Sequence, residues 1–210
     1  MIEFNRRSIR LQGYDYSLNG VYFVTIVTQN RKSLFGNIIN GMMVLNEAGL
    51  MVQRIYNELP IFYNGFQIDV CQIMTNHIHI IIIIDNNVVG VSPCAYPCLL
   101  GNHRGFAPTI NNIGNHQCIS GNHRGFAPTI NNISNHRMLS LHDIVHRFKS
   151  MTTNQYIKGV HNNNWMSFDK KLWQRNYYDR IIRDEKELNN TREYIVNNPL
   201  SWENDENNIH

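Results

Sequence analysis

His77-Ile78-His79-Ile80-Ile81-Ile82-Ile83-Ile84 is the stretch on which the fold turns, and it follows Phe66-Gln-Ile-Asp-Val-Cys-Gln-Ile-Met74 across the pair Thr75-Asn76. Both runs are rich in β-branched residues and too short for ordinary helices, so they read as two strands of an antiparallel hairpin. In a strand, alternate side chains leave opposite faces. His77, His79, Ile81 and Ile83 therefore share one face, and Ile78, Ile80, Ile82 and Ile84 share the other.

Working outward, Val21-Tyr-Phe-Val-Thr-Ile-Val-Thr28 reads as a core strand and Met42-Met-Val-Leu45 as a short one. Asn46 caps a helix from Glu47 to Leu59, which Pro60 is expected to end. Ser140, with Asp143 three residues on, opens a second helix expected to stop near Ile157. The run Trp173 to Arg183 suits a strand, and Asp184 caps a last helix that carries Leu188, Tyr194 and Ile195 to Pro199. Strands adjacent in sequence, rather than in strict alternation with helices, predict an α+β domain: an antiparallel sheet with helices packed on one face.

Between the histidine strand and the second helix the apolar periodicity is lost. Residues 86–137 carry Gly, Asn, Pro and His, and thirteen residues, Gly101-Asn-His-Arg-Gly-Phe-Ala-Pro-Thr-Ile-Asn-Asn-Ile113, recur unchanged at 121–133. Two copies are too few for a solenoid, and neither has an apolar stripe to bury. The expectation is a poorly ordered insertion within a single domain spanning 1–210. Its histidines, His103, His116, His123 and His136, and the loop cysteines Cys94 and Cys98 read as incidental rather than as metal ligands.

A chain of 210 residues with 42% hydrophobic and 17% charged residues is globular in composition, and its net charge of +3 permits nucleic-acid binding without requiring it. The longest apolar run is far too short to cross a bilayer, and the N-terminal Met1-Ile-Glu-Phe-Asn-Arg-Arg7 lacks a signal peptide's apolar segment. Four cysteines do not make a disulfide framework. These features predict a cytoplasmic protein with no membrane partner.

The chemistry concentrates at two places. His77 and His79 lie on one strand face with α-carbons about 6.5 to 7 Å apart, close enough for both imidazoles to converge on one ion. Two structural histidines near a strand end would have the same spacing. Tyr194 and Asn198, four apart on a helix, share a face and lie about 6 Å apart along the axis. A phenol and a carboxamide so placed can act together on a metal-bound phosphate. They also suit a tyrosine packed on the sheet and an Asn that ends the helix before Pro199.

The string Met74-Thr-Asn-His-Ile-His-Ile80, with Trp173-Gln-Arg-Asn-Tyr-Tyr-Asp-Arg-Ile-Ile-Arg-Asp184 and Tyr194-Ile-Val-Asn-Asn-Pro199, resembles the REP-associated tyrosine transposases. These are relatives of the single-tyrosine transposases of insertion sequences 200 and 605 in the His-hydrophobic-His endonuclease superfamily. The resemblance runs from about Arg6 to Trp202, excluding the insertion. It implies a ferredoxin-like fold, metal binding by His77, His79 and Asn198, and a 5′-phosphotyrosine link through Tyr194. It also implies Mg²⁺ or Mn²⁺ as cofactor and single-stranded DNA cut at hairpin-associated repeats, with a free 3′-OH released and the step reversible. Thr75 departs from the family, where proline commonly precedes the Asn-His pair, and the insertion departs from it too.

Tyr177 and Tyr178 also lie near the site, but neighbours on an extended segment face opposite ways, so Tyr178 alone is an alternative nucleophile. Trp173 and Tyr177 are candidates for base stacking or for the core. Arg6, Arg7, Arg10, Arg31, Lys32, Arg147, Lys149, Arg175, Arg180 and Arg183 are candidate DNA-backbone contacts. Three functions fit: a nicking and joining enzyme, a catalytically silent DNA-hairpin-binding protein derived from one, and a metal-dependent hydrolase that uses water. The sequence admits a monomer or a homodimer.

Overall fold

The computed structural model describes residues 13–62, 65–86 and 139–208. Arg6, Arg7, Arg10, Cys94, Cys98 and the repeats lie outside the described residues, as does the insertion apart from Asn86. The chain runs β1 (Gly20–Val27), β2 (Gly36–Ile39), β3 (Met42–Leu45), α1 (Glu47–Phe62), β4 (Phe66–Ile73), β5 (His77–Ile84), α2 (Leu141–Asn163), β6 (Tyr178–Ile182) and α3 (Glu185–Asn197), with 3-10 turns at Gln29–Arg31 and Asn198–Asn204. Four strands form an antiparallel sheet in the order β4-β5-β1-β6, and β2-β3 is a separate hairpin. The sheet strands and the first two helices follow one another as βαββαβ, with the first and third sheet strands central, which is the ferredoxin-like arrangement.

The alternation read in β5 is what divides the core. Ile78, Ile80, Ile82 and Ile84 pack with Tyr22, Val24 and Ile26 of β1 against Val52, Ile55 and Leu59 of α1 and Ile144, Val145 and Phe148 of α2. Each fully buried Ile contributes about 1.5–3 kcal/mol. A one-residue slip of β5 would put both histidines into that cluster, so the register that buries isoleucine also fixes the histidines.

Helices on one face only is corrected by the structure. α1 and α2 cover one face, but α3 covers the other, where Ile195 and Leu188 meet Ile81, Ile182, Phe23 and Val21. The histidine face carries its own apolar residues and needs its own cover, and the last helix supplies it.

Other boundaries also move. Pro60 lies inside the last turn of α1, where little more than one helical hydrogen bond is lost and Leu59 anchors the turn in the core. α2 runs on to Asn163 because, beyond Ile157, Gly159 is buried and Val160 packs on the core; Asn164, in left-handed backbone, stops it. The Ser140–Asp143 capping box is present as expected. β6 keeps only the end of its expected run, because Trp173 turns into the core beside Phe35 and Phe148 and donates to Thr152 Oγ1. β2 was not foreseen, since Gly36-Asn-Ile-Ile39 is short and begins with a glycine at φ 136°.

Two fastenings set the frame of the site. Asn86, just after β5, donates to the Ser17 carbonyl at 2.9 Å and accepts from the Leu139 amide at 3.2 Å, so one side chain ties the end of β5 to the approach to α2. On the histidine face, Arg192 of α3 forks onto Asp69 of β4 at 2.7 and 3.0 Å, where the β4–β5 register shifts. Asp69 is buried while Arg192 is partly exposed, so Arg192→Ala is expected to destabilise the protein by about 1.5–3 kcal/mol. Urea melts against wild type measure it, and an unchanged midpoint would show that α3 does not depend on this pair.

Candidate active site

β5 places the two imidazoles and its neighbours orient them. His77 Nε2 and His79 Nε2 are 3.0 Å apart, and both rings are buried. Antiparallel register sets Thr25 of β1 opposite His79, and its Oγ1 lies 2.9 Å from His79 Nδ1. Asn76, in the hairpin turn, has its Oδ1 2.9 Å from His77 Nδ1. Its Nδ2 already donates to the carbonyls of Arg31 and Asn207 at 3.0 and 2.8 Å, which fixes the carboxamide's orientation. A carbonyl oxygen only accepts, so the network assigns the His77 proton to Nδ1 and leaves a lone pair on Nε2.

α3 brings Tyr194 to the same place. Its ring meets His79 edge-on at 5.3 Å and Phe23 at 6.0 Å, and it is half exposed. Asn198, one turn on, is buried; its Nδ2 donates to Asp205 Oδ2 at 3.0 Å, and its Oδ1 has no hydrogen-bond partner. The chain then turns back through the 3-10 helix Asn198–Asn204, so that Trp202 stacks on His77 at 5.9 Å and Asp205 reaches the histidines. Ligand atoms of His77, His79 and Asp205 lie within 4.8 Å of one another.

This donor set fits a divalent cation. Two nitrogens 3.0 Å apart subtend about 90° at an ion with ligand distances of about 2.0–2.1 Å. The orphaned Asn198 oxygen and the Asp205 carboxylate add the harder oxygen donors. Thr25 and Asn76 hold the imidazoles through their far nitrogens, as the second ring of contacts around a metal does.

Burial keeps both imidazoles neutral at pH 7, the form in which a histidine could ligate a cation. Burial pushes His77 down to about 4 and His79 to about 3, with Asp205 opposing the shift in both. Burial, with the charges of Asp205 and Glu206, pushes the Tyr194 phenol up. The Asp205 carboxyl is held below its usual value: burial alone would raise it, but hydrogen bonds from Asn198 and Asn207 outweigh that. In metal-free protein the native state binds fewer protons than the unfolded chain between pH 6.5 and about 4, so stability falls as pH drops through that window. Two such groups give a limiting slope of about 2.7 kcal/mol per pH unit. Urea melts from pH 7.5 to 4.5 should show this acid limb in metal-free wild type, and its persistence in His77→Gln/His79→Gln would assign it to other groups.

His79 and Tyr194 open onto a cleft of about 1260 Å³ that runs along β6 and the start of α3. Of the expected DNA contacts, Arg31, Arg180 and Arg183 line it, and so does Tyr178. Arg180 is engaged by Glu187 at 2.7 Å. Lys32, Arg147, Lys149 and Arg175 are not among its lining residues. Lys149 instead donates to the carbonyls of Gln174 and Asn176, both at 3.0 Å, and so supports the chain before β6. Trp173 and Tyr177 are core residues.

Asp205, Thr25 and the orienting role of Asn76 escaped the sequence reading. Thr25 is identifiable only once the β1–β5 register is known. Asp205 stands seven residues past Asn198 through a 3-10 turn, a separation with no regular periodicity. Asn76 alone had a visible cue, its place directly before His77.

No family model matches the chain. An uncharacterized protein of Haemophilus influenzae is 38% identical over 202 residues, which cover 96% of this chain and 92% of that one, and the chain belongs to the family of that protein. Among solved structures, a REP-associated tyrosine transposase bound to a REP hairpin aligns over 92% of this chain and 74% of its own at 14% identity and TM-score 0.47. A Deinococcus radiodurans protein described as a transposase aligns over 90% and 95% at 12% identity and TM-score 0.41. No helix among the described residues is long and apolar enough to cross a membrane.

Proposed function

We propose that this chain is a REP-associated tyrosine transposase: a metal-dependent enzyme that nicks and rejoins single-stranded DNA at hairpin-associated repeats. The observation that carries the reading is the half-exposed Tyr194 phenol set edge-on against His79, one of two imidazoles whose nitrogens converge to 3.0 Å. The arrangement pairs a nucleophile with a cation site at the mouth of a cleft that also holds Arg31, Arg180 and Arg183.

In this reading His77, His79 and Asn198 hold Mg²⁺ or Mn²⁺, and Asp205 either joins them or orients Asn198 through the 3.0 Å bond. A bound divalent ion would polarise the phosphodiester and favour the phenolate. The chain's own residues do the rest. Tyr194 attacks phosphorus, the Oη–P bond forms as the P–O3′ bond breaks, and the phenolic proton is balanced by the one gained on the 3′ oxygen. The product is a 5′-phosphotyrosine link and a free 3′-OH. Because one phosphoester replaces another, the step reverses without an outside energy source. Cleft cations hold the backbone, and the exposed Tyr178 ring offers a stacking surface for an unpaired base.

Incubation with single-stranded oligonucleotides spanning repeats beside the gene, in Mn²⁺ or Mg²⁺, tests this. A 3′ label should move with the protein on a denaturing gel, and a 5′ label should appear on a shorter free fragment. DNA binding with no adduct would identify a silent hairpin-binding protein instead. Cleavage with no adduct would identify a hydrolase.

A further inference from the structure

Arg31 ends the turn Gln29–Arg31, in which two successive non-glycine residues, Asn30 at φ 57° and Arg31 at φ 51°, occupy left-handed backbone. Each is unfavourable for a residue that carries a side chain, so the surroundings must impose the conformation. They do so at several points. Thr28 Oγ1 donates to the Lys32 carbonyl at 2.8 Å, and the Gln29 amide donates to the Leu172 carbonyl at 2.8 Å. The Arg31 carbonyl accepts from Asn76, the same carboxamide that orients His77.

That backbone delivers the Arg31 side chain to the cleft that holds His79 and Tyr194. Its Nε is buried with no hydrogen-bond partner, and among the described residues no carboxylate pairs with it. A buried guanidinium donor left unpaired is itself unfavourable. Strain and an empty donor thus coincide at one residue, tied by one amide to the metal-site histidine. An anion with oxygens spaced for a guanidinium fork satisfies that donor, and phosphodiesters have that geometry.

We propose that Arg31 grips a non-bridging oxygen of the scissile phosphodiester and stabilises the charge that builds there as Tyr194 attacks. The inference rests on the transesterification reading above and gives Arg31 a role in the chemical step beyond backbone affinity. The guanidinium stays protonated throughout and exchanges no atoms.

The test is single-turnover adduct formation at saturating single-stranded DNA, with Kd measured on the same strand. Arg31→Ala should slow the adduct at saturating DNA by about 100-fold or more, a larger loss than the accompanying change in Kd on the same strand. Arg31→Lys should recover only part of the rate, since an ammonium lacks the fork. Millimolar guanidinium should partly rescue Arg31→Ala, which a merely structural role would not permit. A neutral methylphosphonate at the scissile position should erase most of the difference between Arg31→Ala and wild type. If wild type forms the adduct and Arg31→Ala forms it equally fast, or loses only Kd, this proposal fails alone. If Arg31→Ala does not fold, full activity in Arg31→Lys overturns it equally. If wild type forms no adduct, the transesterification reading fails and takes this one with it.

Discussion

Tyr194→Phe is expected to abolish the protein–DNA adduct, a loss of at least about 10⁴-fold, because no other group replaces a missing nucleophile. The effect should be confined to chemistry. Tyr194 is half exposed, and the packing of its ring edge on Phe23 and His79 survives in phenylalanine, so stability should change by no more than about 0.5 kcal/mol. DNA affinity should stay within about 3-fold. Tyr178→Phe is the necessary companion. Tyr178 is equally exposed, in the same cleft, and pairs across the sheet with Thr25. It should retain the adduct with at most a several-fold loss from weaker stacking or hydrogen bonding. A reversed pattern, adduct kept in Tyr194→Phe and lost in Tyr178→Phe, would transfer the nucleophile to β6.

The second large effect belongs to the histidines. His79→Ala should remove measurable Mn²⁺ binding by calorimetry and lower adduct formation by about 10³-fold or more, since it deletes one of two converging nitrogens. Thr25→Val separates ligation from orientation. It keeps the shape and β-propensity of a buried position and removes only the hydroxyl 2.9 Å from His79 Nδ1. Loss of such an orienting contact should weaken metal binding or activity by about 10- to 100-fold, well short of the loss in His79→Ala. Equal losses in the two variants would mean that Thr25 supports the strand rather than the ligand.

The histidine pair could be found from sequence because strand alternation is local: His77 and His79 share a face whatever else the chain does. The Tyr194–Asn198 pair was equally local, one turn along α3. What could not be found was set by contacts distant in sequence. Asp205 reaches the site by a non-periodic turn, and Thr25 depends on a register between strands more than fifty residues apart. The helix on the second face was missed for a related reason. Hydrophobic spacing marks α3 as amphipathic, but which side of the sheet it covers depends on chain crossing, and Ile195 meets Ile81 only in three dimensions.

One carboxamide bonds Asn86 to Leu139, between which 52 residues by subtraction, 87–138, lie in sequence. The repeat copies begin at 101 and 121, a unit of 20 residues. Loop-closure entropy grows only with the logarithm of length, so shortening 52 residues to 32 changes it by about 0.4 kcal/mol. By that measure alone, gain or loss of one 20-residue unit changes the closure free energy by less than thermal energy. Asn86 is accordingly a clasp, one side chain that keeps Ser17 and Leu139 together on the scaffold.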